Sequence, residues 1–287
     1  MQMWKQIDAD KSADLYKEPL STAAIVYRPI NLEELTCVTG SLSRYSNDLT
    51  AVTDIIEHCG SFLTIGEGIV YFVHESAKEF LSRSVEKDLY PLGRAAVHHG
   101  IFSRSVKGLS TILKRNIYDL SVPDSSIEDA RRPDPDPLAS SRYSIVYWIV
   151  HLCAEYVGSL GGPGSDVHSS LQSVHDFLQG KFLYWLEALA LCRGMSDGVV
   201  LMGNLQELVE VISEACQFVS TCTDVSRQRL VHRHYRNLYE THSALLCITN
   251  TWWRPTLCSG TYLQCCSVRR GALSGDNSST KCQAGLL

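Results

Sequence analysis

The sequence contains no Cys-x-x-Cys pair, no His-Glu-x-x-His, no Gly-x-Ser-x-Gly and no Gly-x-x-x-x-Gly-Lys-[Ser/Thr]. These absences exclude a zinc ribbon or thioredoxin-type redox motif, a zincin helix, a nucleophile elbow and a P-loop. The single glycine-rich loop, Gly158–Ser165, has no lysine, and no acidic Walker-B strand is recognisable. Long apolar runs are missing too. The longest, Ile145–Val157, falls short of the ~20 residues needed to cross a bilayer. Lys5, Asp8, Asp10, Lys11, Asp14, Lys17 and Glu18 crowd the start, so no secretory signal peptide is expected. Positive charge is not in excess either. With 26 Lys and Arg against 31 Asp and Glu the net charge is -5, which disfavours broad binding to nucleic acid.

What remains is an ordinary globular composition. The 287 residues are 45% hydrophobic and 20% charged, enough for two modest domains. Eleven cysteines are many, but six of them lie after residue 220 and no spacing suggests a disulfide framework. Cys37, Cys59, Cys153, Cys192 and Cys216 fall on apolar faces and read as small buried hydrophobes. The expected setting is the cytoplasm, with reduced thiols.

Apolar residues at helical spacing predict a first helix over residues 3–18, ended by Pro19. Asn31-Leu32-Glu33-Glu34 has the form of a capping box opening a helix through Val38. A helix from about Asn47 to His58 follows, with Val52, Ile55, Ile56 and Cys59 on one face and Gly60 as its stop. Two β-rich runs, Phe62–Ile65 and Ile69–Val73, flank a three-residue loop Gly66-Glu67-Gly68 and predict a hairpin. Ser76–Ser84 makes another helix. Helix, helix, hairpin and helix together outline a winged-helix unit.

Beyond Pro91 the pattern is helical. Stripes run through Val97, Ile101, Ser105, Leu109, Ile112 and Tyr118, and then through Tyr143, Val146, Val150, Cys153 and Val157. Later stripes comprise Val167, Leu171, Val174, Leu178, Phe182, Trp185 and Leu189, and finally Leu201, Leu205, Leu208, Ile212, Ala215 and Val219. Ser140 or Ser141 and Asp166 are the expected caps, and the proline- and acid-rich residues 121–137 a rigid connection. The expected fold is therefore mainly α: a winged-helix-like unit with one β-hairpin over residues 1–88, and a helical bundle or linker over 89–219. A poorly ordered tail is expected over 220–287.

Three stretches resemble fungal NACHT-domain proteins of the vegetative-incompatibility type, members of the STAND class of signalling ATPases. They are AAIVYRPINLEEL (23–35), CGSFLTIGEGIVYFVHESAKEFL (59–81) and the run from Ile117 to Leu152, followed by KFLYWLEALAL (181–191). The resemblance implies the region that follows the nucleotide-binding core: a winged-helix domain, then a helical linker leading to WD40 or ankyrin repeats. Since the P-loop is absent, the phosphate-binding and hydrolytic machinery is expected outside this chain. The segment after residue 215 departs from the family. A shifted reading frame, a mispredicted exon or a truncated gene would each produce that departure.

Within VHESAKEF, His74 aligns by resemblance with the histidine of the MHD-type motif, which donates to the β-phosphate of bound ADP and holds the closed state. Glu75 takes the acidic place of the motif. Without the resemblance both read as structural residues at a strand-to-helix junction. Pro29 reads as a turn before a helix rather than as a nucleotide contact. His98, His99, His151, His168, His175, His232 and His234 lack the spacing of metal ligands, so no metal is expected. The only basic cluster, RQRLVHRHYR (227–236), lies in the divergent tail.

The reading that results is a non-catalytic regulatory or assembly fragment of an NLR-like protein in non-self recognition or programmed cell death. It implies no cofactor, no nucleotide for this chain alone, no membrane, and protein partners that include intact NACHT proteins or a second copy. The alternatives are a winged-helix nucleic-acid-binding module, disfavoured by Asp48, Asp54, Glu57 and Glu67, and a mispredicted gene product without function.

Overall fold

Pro19 sits inside a helix rather than after one. The computed structural model describes residues 2–59, 62–120, 131–159 and 167–224. In it the first expected helix is two, α1 (Gln2–Asp8) and α2 (Ala13–Ile25). A proline there removes one backbone N–H and is normally costly. It is tolerated because every residue from Pro19 to Ile25 is buried, so tertiary packing outweighs the missing bond. The expectations for Gly60, for residues 121–130, for Asp166 and for the tail beyond residue 224 lie outside the described residues.

A short strand β1 (Ile30–Asn31) leads into α3 (Leu32–Val38). The predicted capping box is formed: the Glu34 amide donates to Asn31 Oδ1 at 2.7 Å and the Asn31 amide donates to Glu34 Oε2 at 3.2 Å. The next helix, α4 (Leu49–His58), is capped by Asp48. Strands β2 (Leu63–Gly66) and β3 (Ile69–Phe72) then form the hairpin, and α5 (Glu75–Arg83) and the one-turn α6 (Glu86–Leu89) follow.

Two details of the sheet differ from expectation. Gly66 pairs with Ile69, so the loop has two residues, Glu67 and Gly68, not three. Both have positive φ, 52° and 76°, as a type I′ hairpin turn requires. The hairpin is also not alone. β1 pairs antiparallel with β3 through Ile30–Val70 and Asn31–Ile69, giving a three-stranded sheet of order β1-β3-β2. A two-residue strand carries no periodic signal, so only the tertiary contact reveals it.

The remainder is helical: α7 (Arg94–Ile112), α8 (Arg142–Ser159), α9 (Val167–Leu191) and α10 (Met195–Asp224). A 3₁₀ turn, Ala139–Ser141, precedes α8 in place of the expected serine cap. Helix α8 does not follow its predicted stripe. Tyr143, Ile145, Trp148, Ile149 and Leu152 are buried, whereas Val146, Val150, Cys153 and Val157 are only half-buried. It packs against α7, α9, α10 and α3, and a helix buried on several sides has no single apolar stripe to read. On α9 the predicted core residue Phe182 is exposed, and Phe177 and Ala188 are buried instead.

Two apolar clusters result. The first joins Leu20, Leu35, Val52, Ile56, Leu63, Val70 and Leu81 beneath the sheet, with Trp4 edge-on to Phe62. The second centres on Trp148, which meets Phe177 and Trp185 edge-to-face at 5.5 and 5.8 Å. Burying side chains of this size contributes several kcal/mol each at ~25 cal/mol per Å² of apolar surface. Trp185 also donates from Nε1 to the Ile145 carbonyl, 2.8 Å away. Among the described residues no helix is long and apolar enough to cross a membrane.

Candidate functional site

His74 stands where β3 passes into α5. Its backbone is extended (φ −154°, ψ 150°), so it is the residue at which the chain turns from strand to helix. Nδ1 accepts from the Ser76 amide at 3.1 Å and lies 2.8 Å from Ser76 Oγ, making the imidazole the N-cap of α5. The ring is exposed, and so are its apolar neighbours Tyr71 (40%) and Val73 (53%). Glu75 is the first residue of α5, also exposed, where its charge complements the helix N-terminus. Thus the two residues singled out in the sequence do share one solvent-facing junction. Pro29 is exposed, and its carbonyl accepts from Arg28.

A second polar constellation is buried and was not legible in the sequence. Glu34, 1% exposed, receives both arms of Arg28, at 2.6 and 2.8 Å. The same carboxylate accepts from the amides of Asn31 and Tyr143, the latter in the first turn of α8. Arg28 lies over the rings of Tyr143 and Tyr147. One side chain therefore fixes the capping box of α3, the loop before β1 and the start of α8. The capping-box pattern was visible in the sequence; the 109-residue reach to Tyr143 was not.

Beside it runs a chain of rings. The Tyr27 amide donates to Tyr143 Oη at 3.2 Å, Tyr143 Oη lies 2.7 Å from His151 Nε2, and His151 Nδ1 lies 2.8 Å from His98 Nδ1. The arrangement that leaves no proton stranded has Tyr143 donating to His151 and His151 donating to His98. Both imidazoles are neutral. Burial, and then the Arg94 charge, push His98 down to about 4. Burial and the facing His98 hold His151 well below the usual range. Burial likewise drives the Tyr143 hydroxyl well up.

Nearby, His99 Nδ1 meets Glu155 Oε1 at 2.9 Å, and Ser170 Oγ lies 3.3 Å from the same carboxylate oxygen. Serine, histidine and an acid do meet here, but not as a relay. The Ser170 hydroxyl is 3.5 Å from Nδ1, the nitrogen already engaged by the carboxylate, so no base faces the hydroxyl through Nε2. No group of three or more His, Cys, Asp and Glu among the described residues is arranged to hold a metal ion. His175 is exposed, and His58 stacks on Tyr16. His168, His232 and His234 have side chains outside the described residues.

The helix ahead of the hairpin, α4, presents Asp54 and Glu57 to solvent and carries no Lys or Arg. That face repels phosphate.

No family model matches the chain, and no solved structure does. A curated protein does. The chain is 39% identical over 219 residues to the vegetative incompatibility protein HET-E-1 of Podospora anserina. The match takes in 72% of this chain and 16% of that protein, so the chain spans about a sixth of the relative's length.

Proposed function

We propose that this chain is a non-catalytic regulatory and assembly segment of an NLR-like, NACHT-type signalling protein of the STAND class. In this reading residues 1–88 form a winged-helix unit and 89–219 a helical linker. The unit acts in non-self recognition or programmed cell death. The observation that carries the proposal is His74, exposed at the strand-to-helix junction with Nε2 unbonded among the described residues. The similarity to a vegetative incompatibility protein supports the process. The winged-helix reading is supported by the element order α2-β1-α3-α4-β2-β3 and the sheet order β1-β3-β2.

His74 donates from Nε2 to the β-phosphate of ADP held by a nucleotide-binding core, and Glu75 favours the helix start. Exposed Tyr71 and Val73 give that core an apolar surface to close on. Loss of the phosphate releases the contact and shifts the population towards an open state. The sequence has no P-loop, so neither nucleotide binding nor catalysis is assigned to this chain alone, and no cofactor. Its partners are proteins, intact NACHT proteins or a second copy, in the cytoplasm.

Isothermal titration of the chain with ADP and with Mg·ATP tests this, and no micromolar binding is expected. Joined to a nucleotide-binding core, His74→Ala is expected to weaken ADP retention. Micromolar nucleotide affinity in the isolated chain overturns the reading. A salt-dependent gel shift with duplex DNA replaces it with the nucleic-acid alternative, against the acidic face of α4.

A further inference from the structure

The bonds at His74 determine where its protons are. A backbone N–H can only donate, so the Ser76 amide 3.1 Å from Nδ1 requires a lone pair on that nitrogen. Ser76 Oγ, 2.8 Å from the same atom, then shares that one lone pair as a second donor. The single proton of the neutral ring is left on Nε2, which no described residue bonds.

We propose that Ser76 is a positioning residue that locks His74 in the Nε2–H tautomer, so that His74 addresses a partner through Nε2 as a hydrogen-bond donor. An oxygen acceptor at Nε2, such as a phosphate, carboxylate or carbonyl oxygen, is met with the cap of α5 intact. A metal ion or an N–H group needs the lone pair at Nε2. Binding either one moves the proton to Nδ1 and strips the cap. Protonation of the ring does the same and adds a positive charge at a helix N-terminus, where it is unfavourable. The state of the ring and the start of α5 are therefore coupled. This deepens the reading of His74 as a sensor, and depends on it only for which acceptor arrives.

The elements packed against α5 are α2, β3 and α6, and Arg94 of α7 reaches the Ser82 carbonyl at 3.4 Å. Their ionisable groups are Asp14, Tyr16, Lys17 and Glu18 on α2, Tyr71 on β3, and Glu86, Lys87 and Asp88 on α6; α5 itself adds Glu75, Lys78, Glu79 and Arg83. Lys17 pairs with Asp8, Glu18 accepts from the amides of Gly40 and Ser41, Glu86 pairs with Arg94, and Glu79 pairs with Arg83. None of these groups is bonded to the His74 ring.

The test is nitrogen-15 NMR and amide exchange of the full 287-residue chain. In the wild type, Nε2 should carry the ring proton and Nδ1 should be bare. The Ser76 amide should be protected from exchange. His74→Asn keeps a capping oxygen, so the Ser76 amide stays protected. His74→Ala loses that protection, with a melting temperature lower by about 2–4 °C. Ser76→Pro removes the donor where a first helical turn tolerates proline, and Nδ1–H should then appear. A wild-type ring protonated at Nδ1, or a Ser76 amide indifferent to the ring, overturns the proposal. Failure of the assembled nucleotide-bearing protein to retain ADP through His74 would sink the sensor reading and leave the tautomer measurement untouched.

Discussion

The Nδ1 atoms of His98 and His151 lie 2.8 Å apart in the buried seam between α7 and α8. The seam repeats along the antiparallel pair. Gly158 brings α8 close enough that a Cβ there would stand 3.0 Å from the Ala95 side chain. Seven residues back, His151 faces His98, and after seven more Ser144 Oγ meets Ser105 Oγ at 3.0 Å. Small and polar residues let these helices approach closely, and each polar group finds its partner across the gap. A charge on either imidazole has nowhere to go.

Stability should therefore fall in acid. His98 is neutral in the folded chain down to about 4, whereas in the unfolded chain it takes a proton below its ordinary 6.5. Its contribution is fully present above pH 6.5 and is lost as the pH drops to 4, on the order of 2–3 kcal/mol. Asp136, held low by Arg142, Leu138 and Tyr118, extends the loss below pH 3.8. Urea melts at pH 8, 6, 5 and 4 measure this. A midpoint unchanged between pH 7 and 4.5 would contradict a neutral His98.

Removing Glu34 should be among the most damaging single changes. Glu34→Ala strands the Arg28 guanidinium and the amides of Asn31 and Tyr143. Arg28 is about a third exposed, so the cost should fall at or below about 3–5 kcal/mol, the figure for a fully buried ion pair. A double-mutant cycle with Arg28→Ala, read by chemical denaturation, should show coupling well above that of the exposed pair Arg83–Glu79.

The hairpin turn should respond in opposite senses to two substitutions. Glu67→Asn places a residue suited to positive φ ahead of Gly68 and should raise the melting temperature slightly. Gly68→Ala adds a Cβ at φ 76° and should cost about 1 kcal/mol. Nothing lies within 4 Å of that Cβ, so the cost is conformational and not steric crowding by neighbours.

Burial should slow the thiols of Cys59, Cys153 and Cys192. It pushes Cys59 and Cys153 up to about 12 and Cys192 up to about 11, so little thiolate forms at pH 8. Alkylation of the native chain at that pH should spare the fully buried Cys59, proceed slowly at the half-buried Cys153 and Cys192, and reach all three in urea. Fast native labelling of Cys59 would show that the first apolar cluster opens readily.

The sequence alone determined much of this protein through local chemistry. The capping box at Asn31 and Glu34, the amphipathic faces of α4 and of Leu201-Leu205-Leu208, and the hairpin, though not its two-residue loop, depend on residues close in the chain. Spacing was enough to read them. The same holds for the His74–Glu75 junction, since a strand ending beside a helix start is a local event. Tertiary structure decided the rest. Strand β1 exists because Val70 is there to pair with Ile30, and Pro19 stays helical because residues after it are buried. The burial of α8 on several sides erased the stripe that sequence reading seeks. Glu34 and Tyr143, and His98 and His151, meet across 109 and 53 residues, distances at which no periodicity carries information. Only packing, which desolvates those groups and forces each to find its partner, selects such pairs.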